Sequence, residues 1–187
     1  FRNGEGRYKP EQRTVSFVIV AESAGAVYVN TTDKYEVELF KDFHVSKHLL
    51  STLKTTSCLI NITASIFAEE NGYENCLLIN DEKNVIEAIN GNIFVIKDNV
   101  VSTPPIADGC KNGIIRKKLI EIINKADNLT FEERSISPFE LQKADEIFIT
   151  NIAVGIQSIT QYRKKMFANT IANSLLMKLN AQIKFNS

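Results

Sequence analysis

Cys76-Leu77-Leu78-Ile79-Asn80-Asp81-Glu82-Lys83-Asn84-Val85-Ile86-Glu87-Ala88-Ile89-Asn90-Gly91-Asn92-Ile93-Phe94-Val95-Ile96-Lys97-Asp98-Asn99-Val100-Val101-Ser102 is the stretch that decides the fold. Cys76 to Asn80 is an apolar run of strand length. Asp81 to Asn84 is a polar turn, and Val85 to Asn90 is the return strand. Ile93 to Lys97 and Val100 to Ser102 repeat the pattern across Asp98-Asn99. Successive hairpins require neighbouring antiparallel strands, which a doubly wound parallel sheet does not supply.

The flanks add helices. Leu59, Ile60, Ile62, Ile66 and Phe67 carry helical spacing, and the helix should run to about Asn71, with Gly72 as its C-terminal stop. Pro104-Pro105 ends the hairpin region. Ile114 to Lys125 reads as a helix with Ile115, Leu119, Ile122 and Ile123 on its apolar side. Ser137-Pro138-Phe139-Glu140 combines a capping serine, a proline at the first helical position and a glutamate three residues on, a capping box. Glu146 to Thr150 and Gly155 to Thr160 read as strands, and Tyr162 to Leu179 as a terminal helix. Toward the start, Tyr35 to Phe40 alternates as a strand does, and Val15 to Val20 reads as a buried strand. Gly4 to Pro10 is a turn, and Ala21 to Asp33 is weakly patterned and reads as a linker. Strands and helices interleave without strict alternation, so the fold class is mixed α/β, also describable as α+β.

Composition narrows the partners. The 187 residues hold 22 basic and 22 acidic side chains, a formal net charge of zero, which argues against nucleic acid or an anionic membrane as partner. No apolar run approaches the roughly 18 residues of a membrane span, and no signal peptide is recognisable. Cys58, Cys76 and Cys110 are unevenly spaced and read as free thiols of a reducing, cytoplasmic setting. Asn30, Asn61 and Asn128 head sequons read as chance matches. No metal-ligand set is assigned. Phe1-Arg2-Asn3-Gly4 reads as the end of a strand entering a turn, so the chain is expected to begin inside a domain.

Three features point to one chemistry in combination. Lys54, in Leu53-Lys54-Thr55-Thr56, precedes a helix. Glu87 stands in an apolar strand. Gly113-Ile114-Ile115-Arg116 opens a helix. Separately, each has a commonplace reading: a solvated lysine, a glutamate on a wet strand face, an ordinary helix start. Together they supply an amine for a Schiff base, an anion for a pyridinium nitrogen and backbone N–H groups for a phosphate. These are the needs of pyridoxal phosphate.

The longer motifs carry a resemblance. Glu87-Ala88-Ile89-Asn90-Gly91-Asn92-Ile93-Phe94-Val95-Ile96-Lys97-Asp98 resembles the E-x-x-x-x-N-I/L-F-x-V-K-D/G segment of the class IV aminotransferases, the fold-type IV pyridoxal phosphate enzymes. Thr103-Pro104-Pro105 followed by Gly109-Cys110-Lys111-Asn112-Gly113-Ile114-Ile115-Arg116 resembles their T-P-P…G-x-x-x-G-I-T/M-R. Ala144-Asp145-Glu146-Ile147-Phe148-Ile149-Thr150-Asn151 resembles their A-D-E-V/I-F-x-x-N/G. Lys54 precedes the same helix and the same Gly-Tyr pair, here Gly72-Tyr73.

The resemblance implies roles. Lys54 matches the Schiff-base lysine, which also carries the catalytic proton, and Glu87 the partner of the pyridine nitrogen. Gly113, Ile114 and Ile115 match the helix start that binds the phosphate. Asn151 and Ile152 match a second phosphate-side loop. Arg7 resembles the arginine some members use for a substrate carboxylate; its plain reading is a turn arginine in water. The implied architecture is the tail of a small domain over 1–24, a linker over 25–29 and a large pseudo-barrel domain over 30–187. A homodimer and a small amino substrate are implied too. Threonine is common in the family where Ile115 and Ile152 stand, and a threonine at 115 would be expected to add a hydroxyl contact to phosphate. Leu59 replaces the tyrosine of branched-chain aminotransferases, as in the aminodeoxychorismate lyases and the D-amino-acid aminotransferases, and Asn151 fits the lyase pattern better than the glycine of branched-chain enzymes. Ser57 and Cys58 occupy the region where an asparagine is usual. The resemblance therefore implies 4-amino-4-deoxychorismate lyase chemistry first. Transamination of a branched-chain or D-amino acid is the alternative, and an inactive fragment or cofactor-free paralogue the third.

Overall fold

The computed structural model describes residues 8–9, 11–22, 27–30 and 34–185. The described strands are β1 (Glu36–Val45), β2 (Asn75–Asn80), β3 (Val85–Ala88), β4 (Gly91–Lys97), β5 (Val100–Thr103), β6 (Thr130–Glu133), β7 (Glu146–Asn151), β8 (Gly155–Ile159), β9 (Gln161–Tyr162) and β10 (Lys165–Met166). The helices are α1 (Leu59–Asn71), α2 (Ile114–Ile123), α3 (Pro138–Leu141) and α4 (Thr170–Phe185). The strands form one sheet in the order β10-β9-β1-β2-β3-β4-β5-β6, and β7 branches from β4 to carry β8. The branch is the architectural key. β4 pairs with β7 from Asn92 to Ile96 along one edge, while β3 and then β5 share its other edge. Pairings are antiparallel at the hairpins and parallel for β1 with β2 and β5 with β6.

Alternation sorts the side chains into layers. Leu39, Leu77, Ile93, Val95, Ile147 and Ile159 meet in one apolar core with Leu141 of α3. On the opposite face Phe94, Ile96, Phe148 and Ile156 pack against α2 and α4. Further along that sheet, Phe40, Leu78 and Ile86 pack under α1. Phe94 and Phe148 stack with ring centroids 5.0 Å apart. The Asp98-Asn99 turn has φ of 50° and 63°, the left-handed pair a two-residue hairpin needs. Gly72 ends α1 at φ 72°, a conformation that favours glycine. The capping box at Ser137 forms with both of its bonds, although α3 is only four residues long.

Two expectations are corrected. Val15 to Val20 is no buried strand: Phe17 is 78% and Ile19 82% exposed, and no described element covers them. An apolar alternation can be buried only where a second layer exists to receive it. The terminal helix starts at Thr170, not Tyr162, because Gln161–Tyr162 and Lys165–Met166 first form a hairpin with Arg163 at φ 55°. The start is set from outside the helix. Buried Glu146 of β7 accepts hydrogen bonds from the Ile171 and Ala172 amides, both at 2.9 Å, capping α4 with a carboxylate. β6 gave no signal, since Thr130-Phe131-Glu132-Glu133 is largely exposed at the edge. Tyr28, read as linker, is tied to α4: its amide donates to Asn180 Oδ1 and its carbonyl accepts from Asn180 Nδ2, each at 2.8 Å.

Candidate active site

Strand register brings the site together. Glu87 pairs with Asn92 across β3 and β4, and Asn92 pairs with Thr150 across β4 and β7. Directly paired residues share a face. Glu87, Asn92 and Thr150 therefore form a polar row on the helix-bearing face of the sheet, between the apolar cluster under α1 and the one under α2 and α4. All three are buried.

A loop crosses this row and ends in α2. The Lys111 amide donates to Glu87 Oε2 at 2.9 Å, and the Lys111 ammonium to Oε1 at 3.0 Å. Asn92 Nδ2 donates to the Lys111 carbonyl at 2.7 Å. Burial pushes the Glu87 carboxyl above its ordinary range, and the adjacent Lys111 charge and bonds oppose that rise. Gly113 sits against Asn92 so closely that any Cβ there would collide with Asn92 Oδ1. The glycine carbonyl accepts the first helical bond, from Lys117 at 3.2 Å, so the Ile114, Ile115 and Arg116 amides begin the helix without intrahelical acceptors. Such an end favours an anion.

Of the remaining residues predicted from sequence, Ile114 is exposed at the helix tip, whereas Ile115 is 5% exposed and packs with Phe94 and Leu119. Ile115 can thus offer its amide, while its side chain belongs to the core. Asn151 Oδ1 accepts from the Ala153 and Val154 amides at 2.9 and 3.0 Å, closing the turn between β7 and β8 on itself. Ile152 is exposed in that turn, and its carbonyl accepts from the Tyr28 hydroxyl at 2.9 Å. Lys54 is exposed on the segment leading to α1. Its neighbours Leu53 and Thr55 line a cavity of about 480 Å³ shared with His44, His48, Cys58 and Lys111. The structure thus ties Glu87 to Lys111, three residues before α2, and Lys111 shares its cavity with the segment that holds Lys54. Arg7 lies outside the described residues. Cys76 and Cys110 are buried, with thiols pushed up to about 11 and about 12 chiefly by that burial.

Sequence reading missed Lys111, Asn92 and Thr150 as site residues. Asn92 and Thr150 lay inside quoted motifs, yet only the pairing of β3, β4 and β7 aligns them. Thr150 is 1% exposed and its Oγ1 has no hydrogen-bond partner among the described residues. A buried hydroxyl without a partner is unfavourable by about 1–3 kcal/mol. Thr150→Val should therefore raise the stability of the ligand-free protein by about 1 kcal/mol. If a ligand satisfies the hydroxyl, the same change should weaken that ligand's binding. Denaturant melts read the first effect, and a loss of stability would show that the hydroxyl already has a partner.

Comparison with known proteins gives this geometry its class. The family model for amino-transferase class IV matches residues 1–162. A D-alanine aminotransferase of Bacillus licheniformis is 32% identical over 108 residues, 58% of this chain and 38% of that protein. The crystal structure of a protein assigned as a 4-amino-4-deoxychorismate lyase, from Legionella pneumophila, superposes with a TM-score of 0.75 at 27% identity. It covers 82% of this chain and 58% of that one. A branched-chain aminotransferase from Thermoproteus uzoniensis, solved with norvaline, gives 0.76 at 25% identity, covering 86% and 54%. The chain belongs to the class IV aminotransferase family, whose enzymes depend on pyridoxal phosphate. It spans about half the length of the relatives solved in crystals.

The residues present fit that cofactor. A buried carboxylate faces a cavity-lining loop, a helix start presents unpaired amides, the glycine at its cap leaves no room for a side chain, and a buried hydroxyl lacks a partner beside them.

Proposed function

We propose that this chain carries the pyridoxal phosphate site of an enzyme acting on a primary amino group, and that its reaction is 4-amino-4-deoxychorismate lysis to 4-aminobenzoate and pyruvate. The observation that carries the cofactor reading is the polar row Glu87, Asn92, Thr150 ending at the α2 start. Bound pyridoxal phosphate supplies an aldehyde that captures amines and a ring that accepts the electron pair left by a departing proton.

The chain's own residues divide the remaining work. Glu87, buried and oriented by the Lys111 amide, would offer a fixed anion to the ring nitrogen and favour its protonated form. The Ile114 and Ile115 amides, at the positive end of α2, would hold the phosphate oxygens. Asn151 and Ile152 would border the phosphate from the β7–β8 turn, whose shape Asn151 fixes. Lys54 would supply the amine that anchors the cofactor, and its Nζ would accept and return the substrate proton.

Leu59 and Asn151 favour lysis over branched-chain transamination, since branched-chain enzymes keep tyrosine and glycine at those places; Leu59 suits a D-amino-acid aminotransferase equally. The aminotransferase relatives support the alternative, in which the same residues serve a branched-chain or D-amino acid. Incubation with aminodeoxychorismate should release pyruvate and 4-aminobenzoate. Keto acid from leucine or D-alanine, with no pyruvate from aminodeoxychorismate, would replace lysis by transamination. Absence of bound cofactor absorbance would remove the enzyme reading.

Ile115→Thr gives a separate test of the phosphate site. Its side chain is in the core, so threonine exchanges buried apolar contacts for a hydroxyl in apolar surroundings. A stability loss of about 1–2 kcal/mol is expected, without tighter cofactor binding. Tighter binding would mean the side chain reaches the phosphate.

A further inference from the structure

Lys111 is the one cation bonded to Glu87 among the described residues, and its placement is unusual in one respect. Its backbone is pinned by three bonds: the amide donates to Glu87 Oε2, and the carbonyl accepts from Asn92 Nδ2 and the Gly113 amide. Its side chain is held only by the ammonium on Glu87 Oε1, is one third exposed, and lines the cavity shared with the Lys54 segment. The ammonium can therefore leave without disturbing the loop or the second oxygen of Glu87. A carboxylate that is only 3% exposed needs a cation beside it, and in the ligand-free protein Lys111 is that cation.

We propose that the Lys111 ammonium is a placeholder on Glu87, standing where a protonated ring nitrogen binds and swinging into the cavity when the cofactor enters. The proposal rests on the reading of Glu87 as the partner of that nitrogen. Two cations on one buried carboxylate oxygen repel each other, so arrival of the ring nitrogen displaces the flexible one, whose charge is readily rehydrated at the cavity wall. The Lys111 amide stays on Oε2 and keeps the carboxylate oriented throughout. A placeholder stabilises the empty state only. Removing it must weaken the ligand-free protein and strengthen cofactor binding together, because the same bond is broken on loading. A lysine that merely supports the site would act the other way, with both falling.

The test uses the purified protein stripped of cofactor, with Lys111→Met and Lys111→Arg. Methionine keeps the stem and the backbone amide but removes the charge. Thermal midpoints of the ligand-free forms and dissociation constants for pyridoxal phosphate, by equilibrium dialysis, are the readouts. Lys111→Met should lower the ligand-free midpoint and bind pyridoxal phosphate roughly tenfold more tightly than the parent. Lys111→Arg should hold both near the parent values. Unchanged or weaker binding by Lys111→Met, with the parent binding normally, overturns the placeholder alone. No binding of pyridoxal phosphate by the parent overturns the cofactor reading and the placeholder with it.

Discussion

Lys54→Ala is expected to abolish turnover and to leave the unfolding midpoint almost unmoved. The side chain is exposed, ahead of the first turn of α1, and packs into none of the three cores. Surface substitutions of this kind alter stability by about 0.5 kcal/mol or less. The role proposed for it, by contrast, has no substitute: alanine offers no amine to anchor the cofactor and no group to move the substrate proton. Reduction of the cofactor-loaded protein with borohydride, followed by peptide mapping, should place the label on Lys54. Lys111 lines the same cavity and is the natural competitor. Label on Lys111 would transfer the covalent role to it, and would also sink the placeholder argument.

Glu87→Gln should lower turnover by about 10²–10³-fold, since the anion proposed to face the ring nitrogen is lost from a buried site. The structure adds a stability effect. The carboxylate accepts from both the Lys111 amide and the Lys111 ammonium, one on each oxygen. A carboxamide has one oxygen, so one of these bonds is lost and an N–H group is turned toward a donor. A decrease of about 1–3 kcal/mol is expected. Calorimetry and steady-state rates separate the two effects, because a glutamate of purely structural value would reduce stability and leave the rate per folded molecule intact. Unchanged turnover would remove Glu87 from the chemistry.

Much of the architecture is decided locally and was readable for that reason. The hairpin from Val95 to Ser102, the glycine stop of α1 and the capping box at Ser137 depend on residues within a few positions of one another. The motifs around Glu87, Gly113 and Asn151 were likewise readable as segments, and so was the apolar placement of Ile115. Sequence alone therefore determined the family and most of the elements that surround these motifs.

Tertiary structure decided what lies beside what. Glu87, Asn92 and Thr150 are separated by up to 63 positions, and only the branching of β7 from β4 brings them into one row. Lys111 reads as a loop lysine until the turn before α2 lays it across Glu87. The start of α4 is fixed by Glu146, a strand residue 24 positions before Thr170. Val15 to Val20 carries a strand's pattern without a layer to cover it. The physical reason is common to all four. Hydrogen-bond register, burial and ion pairing are properties of two surfaces in contact, and one stretch of chain encodes only its own.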